Sequence, residues 1–281
     1  MNCSSTQMAI ISALQAKPNI DTKAEIQFRI GFIKNVLTHA NRKVLVLGIS
    51  GGIDSCTTGK LAQLAIDQLN EQYQTQDYQF VAMRLPHAVQ ADETDAQQVI
   101  DFIQPSQLAT VNIAPIVASL DKACAAFLSG IVTSSSKADF CRGNVKARSR
   151  MVAQFYIANL MDGLVLGTDH AAEAITGFYT KFGDGACDLA PLFGLNKRQI
   201  RAVASQLGAP AHICHKTPTA DLEEHNPRQP DEVSLGMTYD QIDNYLQGKM
   251  IDETVQDSLE QRYQSTQHKR QLPITPACDW Y

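Results

Sequence analysis

The chain of 281 residues is poor in charge, with Asp, Glu, Lys and Arg together making up 19%, below the roughly one quarter typical of soluble domains. Hydrophobic residues make up 44%, so the high-charge, low-apolar signature of disorder is missing too and a packed core is expected. A formal charge of −5 and a pI near 5.8 give no general attraction to a phosphate backbone. That argues against nucleic-acid and anionic-membrane partners. No apolar run reaches the roughly 18 to 20 residues of a bilayer crossing, the strongest, Val44 to Ile49, being strand-sized. Met8 to Ala16 is mildly apolar without a basic stretch before it, so it reads as an amphipathic helix and not an export signal. The seven cysteines are odd in number and never form Cys-x-x-Cys, which speaks against a disulfide framework or zinc ribbon and for a reducing, cytoplasmic setting. Repeats, low-complexity tracts and long linkers are absent as well, and we read one domain over residues 1–281.

What is present is an alternation of strand and helix patterns. Ile26, Ile30, Ile33 and Leu37 recur at helical spacing over residues 22–40. Val44 to Ile49 is a continuous apolar run, as expected of a parallel strand covered on both faces, and a helix pattern over residues 55–69 follows it. Strands are then predicted over 80–85, 108–113 and 164–167, with helices over 92–103, 116–128 and 137–160. Thr168-Asp169 is suited to cap the next helix, and later helices fit 197–207, 239–246 and 252–263. The fold class is therefore α/β, a doubly wound parallel sheet flanked by helices. Its ligands belong beyond the carboxyl ends of the strands, where strand order reverses. Ser50, Arg84 and Thr168 follow three such ends.

Gly48-Ile49-Ser50-Gly51-Gly52-Ile53-Asp54-Ser55 sets glycines and hydroxyls between a buried strand and a helix start. Outward amides and the positive helix end make this a cradle for phosphate. Asp54 would repel a bare phosphate, so a hard cation such as Mg²⁺ belongs between them, and the loop predicts a metal-bound polyphosphate. Rival patterns fit less well. Walker A fails on spacing around Gly59-Lys60, and the Rossmann Gly-x-Gly-x-x-Gly is absent. Gly48-x-Ser50-x-Gly52 formally matches a hydrolase nucleophile elbow but leaves Asp54 and Ser55 unexplained.

Ser50-Gly51-Gly52-Ile53-Asp54-Ser55 resembles the SGGxDS pyrophosphate loop of the N-type ATP pyrophosphatases, which adenylate a carboxylate or carbonyl oxygen. The loop alone leaves the acceptor open among that group. Further along, Arg142, Lys146, Arg148 and Arg150 form an acid-free basic patch within nine residues, and Glu173 falls one turn into a helix after a strand. A charge run on a helix is more often a solvated face, and an isolated Glu there an N-terminal helix charge.

Several blocks in order resemble the ammonia-dependent NAD synthetases from about Thr22 onward: Gly143-Asn144-x-Lys146-Ala147-Arg148, Gly167 to Gly177, Thr180-Lys181-x-Gly183-Asp184-Gly185, Leu195 to Gln199, Pro218 to Glu223, Asp231-Glu232-Val233 and His268-Lys269-Arg270. The resemblance implies ATP, deamido-NAD and ammonia as substrates. It puts ATP on Gly48 to Ser55, Arg84, Thr168, Lys197 and Thr219, and deamido-NAD on Arg148, Lys181, Asp188, His268 and Lys269. It makes Asp54 and Glu173 the magnesium ligands, with Asp54, Lys197 and Asp188 catalytic. Asp188 or Asp184 would handle the proton of ammonium, a homodimer is implied, and there is no room for a glutaminase domain. Ile53 stands where many relatives carry Gln, so its side chain is expected to face away from phosphate. Gly194 stands where a larger or charged residue is common, and Ala186-Cys187 replaces a glycine-containing pair. His212-x-Cys214-His215 lacks partner ligands at useful spacing and reads as non-metal.

Overall fold

The computed structural model describes residues 4–88, 93–131, 133–219, 224–225, 229–271 and 273–278; residues 220–223 of the Pro218 to Glu223 block lie outside them, as does position 92 of the fourth helix expected above. In chain order the elements are α1 (Ser5–Ala13), α2 (Thr22–His39), β1 (Val44–Gly48), α3 (Ile53–Tyr73), β2 (Gln79–Arg84), α4 (Glu93–Ile103), β3 (Gln107–Thr110), α5 (Ala114–Leu128), α6 (Ser135–Leu160), β4 (Leu164–Val165), α7 (Ala171–Thr176), α8 (Lys197–Gln206), α9 (Ala211–His215), α10 (Asp231–Leu235), α11 (Tyr239–Leu246), α12 (Glu253–Ser265) and α13 (Gln267–Arg270).

The strands form one four-stranded parallel sheet in the order β3-β2-β1-β4. The chain moves outward from β1 through β2 to β3 and returns on the other side of β1, so strand order reverses between β1 and β4. Successive residues of the central strands serve opposite layers, as the two-residue strand period requires. Leu45, Leu47, Phe80 and Ala82 pack with the α2, α3, α4 and α8 layer, whereas Val44, Val46, Val81 and Met83 pack with α5 and α6. The doubly wound reading is therefore correct. A separate apolar cluster joins α1 and α7 to α10, α11 and α12 beyond one end of the sheet.

The strand expected over 108–113 is shorter, as β3 (Gln107–Thr110), and two further sequence expectations change. The last strand, expected over 164–167, keeps only Leu164–Val165, because the next pairing passes from β1 to the returning loop: Leu166 N still donates to Val46 O at 2.9 Å, but Gly167 N donates to Leu189 O at 2.9 Å. Thr168-Asp169 does not cap α7. His170 is the N-cap residue and makes no side-chain cap bond.

Gly194 has its reason in the backbone. Its φ is +84°, and an added Cβ would lie 2.9 Å from the carbonyl oxygen of Gln15. The link between α1 and α2 passes too close for a larger residue, and the left-handed conformation already disfavours one. Arg29 of α2 fastens the same loop by donating to Pro191 O and, at 3.0 Å, to Phe193 O. We predict that Gly194→Ala lowers unfolding free energy by about 2 kcal/mol, combining left-handed strain with the backbone overlap. Urea unfolding checks this, and an unchanged midpoint contradicts it.

Candidate active site

The turn after β1 is built as an open cradle. Gly51 takes φ +80°, and Gly52 is the N-cap of the 21-residue helix α3 without a side-chain cap. Ser50 and Ser55 brace the turn from within: Ser50 N donates to Ser55 Oγ at 3.3 Å, Gly52 N to Ser50 Oγ at 3.3 Å, and Ser55 Oγ to Gly52 O at 3.1 Å. The uncapped first turn of a long helix thus faces outward with its dipole intact, the arrangement that binds oxyanions. The side chain of Ile53 is buried, 4% exposed in the apolar layer, so the residue in the Gln position does face inward.

Asp54 meets the ammonium of Lys197 at 2.7 Å. Lys197 is the first residue of α8, whose start is fixed by a capping box between Asn196 and Gln199 and by Asp243, which accepts from Lys197 N at 3.0 Å and Arg198 N at 2.7 Å. His170 completes the group. Its Nε2 lies 3.6 Å from Asp54 Oδ1, 3.4 Å from Glu173 Oε1 and 3.4 Å from Lys197 Nζ. One ligand atom each of Asp54, His170 and Glu173 falls within 4.8 Å of the others. Burial works to raise Asp54, but Lys197 and His170 outweigh it and hold its carboxyl below the ordinary carboxylate range. Burial likewise works to lower Lys197, and Asp54 and Glu173 outweigh it and keep the ammonium charged.

Asp54, Glu173 and Lys197 line a cavity of about 600 Å³ opening between the ends of β1 and β4, with His170 buried behind them, at the strand-order reversal. Gly48, Ile49, Ser50, Gly52, Ile53, Asp54, Ser55, Thr168, Glu173, Lys197 and Thr219 all reach it. Gly51 and Arg84 are not in its lining, and Arg84 is ion-paired with Glu93 at the start of α4. Of the residues expected to hold deamido-NAD, Arg148 donates to Lys181 O at 3.1 Å, and Lys269 Nζ donates to Gly177 O and Tyr179 O, each at 2.7 Å. The pKa of His268 falls through burial and the nearby charges of Lys181, Lys269 and Arg270. A positive group thus borders the loop from Gly177 to Asp184, whose Phe178 and Asp184 reach the cavity. Asp188 lies apart from the lining and accepts the Val165 N–H at 2.7 Å.

Residue spacing alone missed the opposite wall. His170 had no functional role in the sequence reading, although its place three residues before Glu173 was the available signal. His87 and Lys216 line the cavity, and no local pattern marks them; Asp231 lines it too and opens the Asp231-Glu232-Val233 block. Lys146 ion-pairs with Glu224 at 3.0 Å and Lys216 with Asp95 at 2.7 Å, so part of the basic patch serves the cavity.

The NAD synthase family model matches residues 25–273. An NH3-dependent NAD+ synthetase of Shewanella oneidensis is 54% identical over 273 residues, covering 96% of this chain and 99% of the relative. One from Vibrio cholerae is 56% identical over 269 residues, covering 95% and 97%. This chain belongs to the NAD synthase family. The crystal structure of an NAD+ synthetase from Burkholderia pseudomallei superposes with a TM-score of 0.81 at 44% identity, over 95% of this chain and 96% of that one. The α/β fold is therefore that of the family's enzymes.

Asp231 carries a cost that can be measured. It accepts from Tyr239 Oη at 3.0 Å, but burial, against the hydrogen bond and Lys197, pushes its carboxyl up to about 6. Since the folded state holds this proton more tightly than the unfolded chain, the group's stabilising contribution is full below about pH 4 and is lost as pH rises through about 6. Asp231→Asn removes the titration. We predict that the stability of this variant relative to the parent rises by about 1.4 kcal/mol between pH 5 and pH 7.5. Denaturant unfolding at both pH values reads the difference, and a pH-independent difference contradicts it.

Proposed function

We propose that the chain amidates deamido-NAD with ammonia at the expense of ATP, releasing NAD, AMP and pyrophosphate. The observation that carries this reading is the Asp54–Lys197–His170–Glu173 group set against an uncapped glycine turn at the strand-order reversal, in a chain of the NAD synthase family. The ATP phosphates lie on the amides of Gly48 to Ser55, with Thr168, Lys197 and Thr219 completing the nucleotide site. Arg84 joins them by exchanging Glu93 for the nucleotide. The carboxylate of deamido-NAD attacks the α-phosphorus, a new P–O bond forms, and the bond to the β-phosphate oxygen breaks as pyrophosphate leaves. Ammonia then attacks the acyl carbon, and AMP departs with the former carboxylate oxygen. Positioning and charge neutralisation carry most of this chemistry, because two polyanions must meet in one cavity.

The residues present fit a divalent cation. Asp54 and Glu173 offer hard oxygens, and Asp54 Oδ1 is buried without a hydrogen-bond partner among the described residues. Asp54 and Glu173 would hold Mg²⁺, which supplies charge stabilisation for the leaving pyrophosphate. Lys197 adds its ammonium from the other side. Arg148, Lys181, His268 and Lys269 frame the deamido-NAD site from the loop of residues 177–184, and Asp188 contributes the oxygen its bond to Val165 leaves available. For the proton of ammonium, Asp184 is the better placed of the two acids considered. It reaches the cavity, and burial raises its carboxyl above the ordinary range despite the Thr180 N–H that it accepts at 3.0 Å.

A second copy of the chain is the proposed partner. Val152, Tyr156 and Leu160 of α6 and Phe127 of α5 are large apolar side chains more than half exposed, and such a surface favours burial against its like. A single domain acting in the cytoplasm agrees with the free thiols of the six described cysteines, Cys56, Cys124, Cys141, Cys187, Cys214 and Cys278, and no described helix is long and apolar enough to cross a membrane.

Incubating the protein with ATP, Mg²⁺, deamido-NAD and ammonium should yield NAD and pyrophosphate in equal amounts; formation of ADP and orthophosphate instead overturns the reading. Asp54→Ala should keep the fold and lower turnover by about 10² to 10³-fold, the scale of one lost electrostatic stabiliser, and parental turnover would remove Asp54 from the reaction. Sedimentation should give twice the chain mass, and a monomer across micromolar concentrations contradicts the dimer.

A further inference from the structure

We infer that Tyr239 is a positioning residue for the reaction: its ring is the fixed floor that keeps the Lys197 ammonium aimed into the cavity while the polar partners of that ammonium change. The inference rests on the proposed nucleotide chemistry and adds a residue outside the ATP, metal and deamido-NAD sets.

Lys197 is 1% exposed, and its Nζ has two close polar neighbours, Asp54 at 2.7 Å and His170 at 3.4 Å. Both belong to the group at which a cation would bind, so a cation on Asp54 competes directly with the ammonium for the same carboxylate. The aromatic face of Tyr239 lies on another side, with its ring centre 5.0 Å from Nζ. That contact has no stake in the metal or the phosphates. A cation over an aromatic face in a desolvated site is attracted through the ring quadrupole, whatever else the cation touches.

The ring itself is held rigidly. Tyr239 is 2% exposed. Its hydroxyl donates to Asp231 Oδ2 at 3.0 Å, and its backbone N–H donates to Glu232 Oε1 at 2.8 Å. It opens α11 after the capping box of Thr238 and Gln241, and Asp243 of the same helix holds the first two amides of α8. One helix therefore fixes both ends of Lys197, its backbone through Asp243 and its ammonium through Tyr239. Without the ring, a side chain with four rotatable bonds would be directed only by the partners that ligand binding rearranges, and preorganised charge is worth more than charge that must reorganise.

An interaction spent on the transition state appears in kcat and not in KM. Tyr239→Leu should lower kcat by about 10- to 30-fold with KM for ATP within about threefold, whereas Tyr239→Phe, which keeps the ring and loses the Asp231 bond, should stay within about threefold of the parent in both. Introducing Tyr239→Leu into Lys197→Met should cost nothing further in residual turnover. An equal loss in both backgrounds, an equal loss for Phe and Leu, or parental kcat for Leu would each overturn the inference. Failure of the parent protein to make NAD would instead remove the proposed function, so the two outcomes are distinct. Should Tyr239→Leu not fold, Tyr239→Trp replaces it: a retained face predicts kcat within about fivefold, and a loss as large as that of Lys197→Met contradicts the role.

Discussion

The ion pair between Asp54 and Lys197 is the contact around which the site is organised. It joins the first turn of α3, at the end of the central strand, to the first residue of α8, which enters from a different part of the chain. A buried pair of this kind gains little stability over an apolar substitute, because desolvation offsets the attraction. Its value lies in what it places. It sets one cation, itself 1% exposed, and one carboxylate beside an oxyanion cradle, where burial strengthens their attraction. His170, wholly buried between Asp54, Glu173 and Lys197, spaces the two carboxylates and gives the ammonium a second neighbour.

The rest of the fold can be understood as support for that contact. The sheet presents β1 and β4 side by side at the strand-order reversal, so the glycine turn and the start of α7 open into one crevice. The α2 layer carries α8 against α3, and the third apolar cluster carries α11 against α7, while α11 also touches α8. The acidic side of the cavity is dense. Burial, reinforced by Glu173, Asp184 and Asp54, raises Asp169 well above the usual carboxylate range. Such a site stores repulsion that bound cations relieve, which suits a reaction in which both a metal and ammonium are proposed to enter.

Much of this was legible in the sequence, for reasons that differ from part to part. The strand, turn and helix around Gly51 were readable because a fully apolar run followed by glycines has few other solutions. The start of α8 was readable from Asn196 and Gln199, which form a local capping box. The length of β4 was not, because its last residues exchange one sheet partner for the chain segment at Leu189, a choice made by tertiary contact. The cap of α7 was not legible for a similar reason: Thr168 and Asp169 look like a helix cap, but His170 takes the cap position and its ring is committed to Asp54, Glu173 and Lys197. Tyr239 left no sequence signal, since its meaning depends on a lysine 42 positions before it meeting the same wall.

The proposed reaction requires the cavity to bring a carboxylate oxygen to the α-phosphorus of ATP. Deamido-NAD labelled with ¹⁸O in its carboxylate tests it directly, by mass spectrometry of the products after a single turnover with ATP and ammonium. One labelled oxygen should appear in the phosphoryl group of AMP, and pyrophosphate should carry none. Unlabelled AMP, or label in orthophosphate, would contradict it.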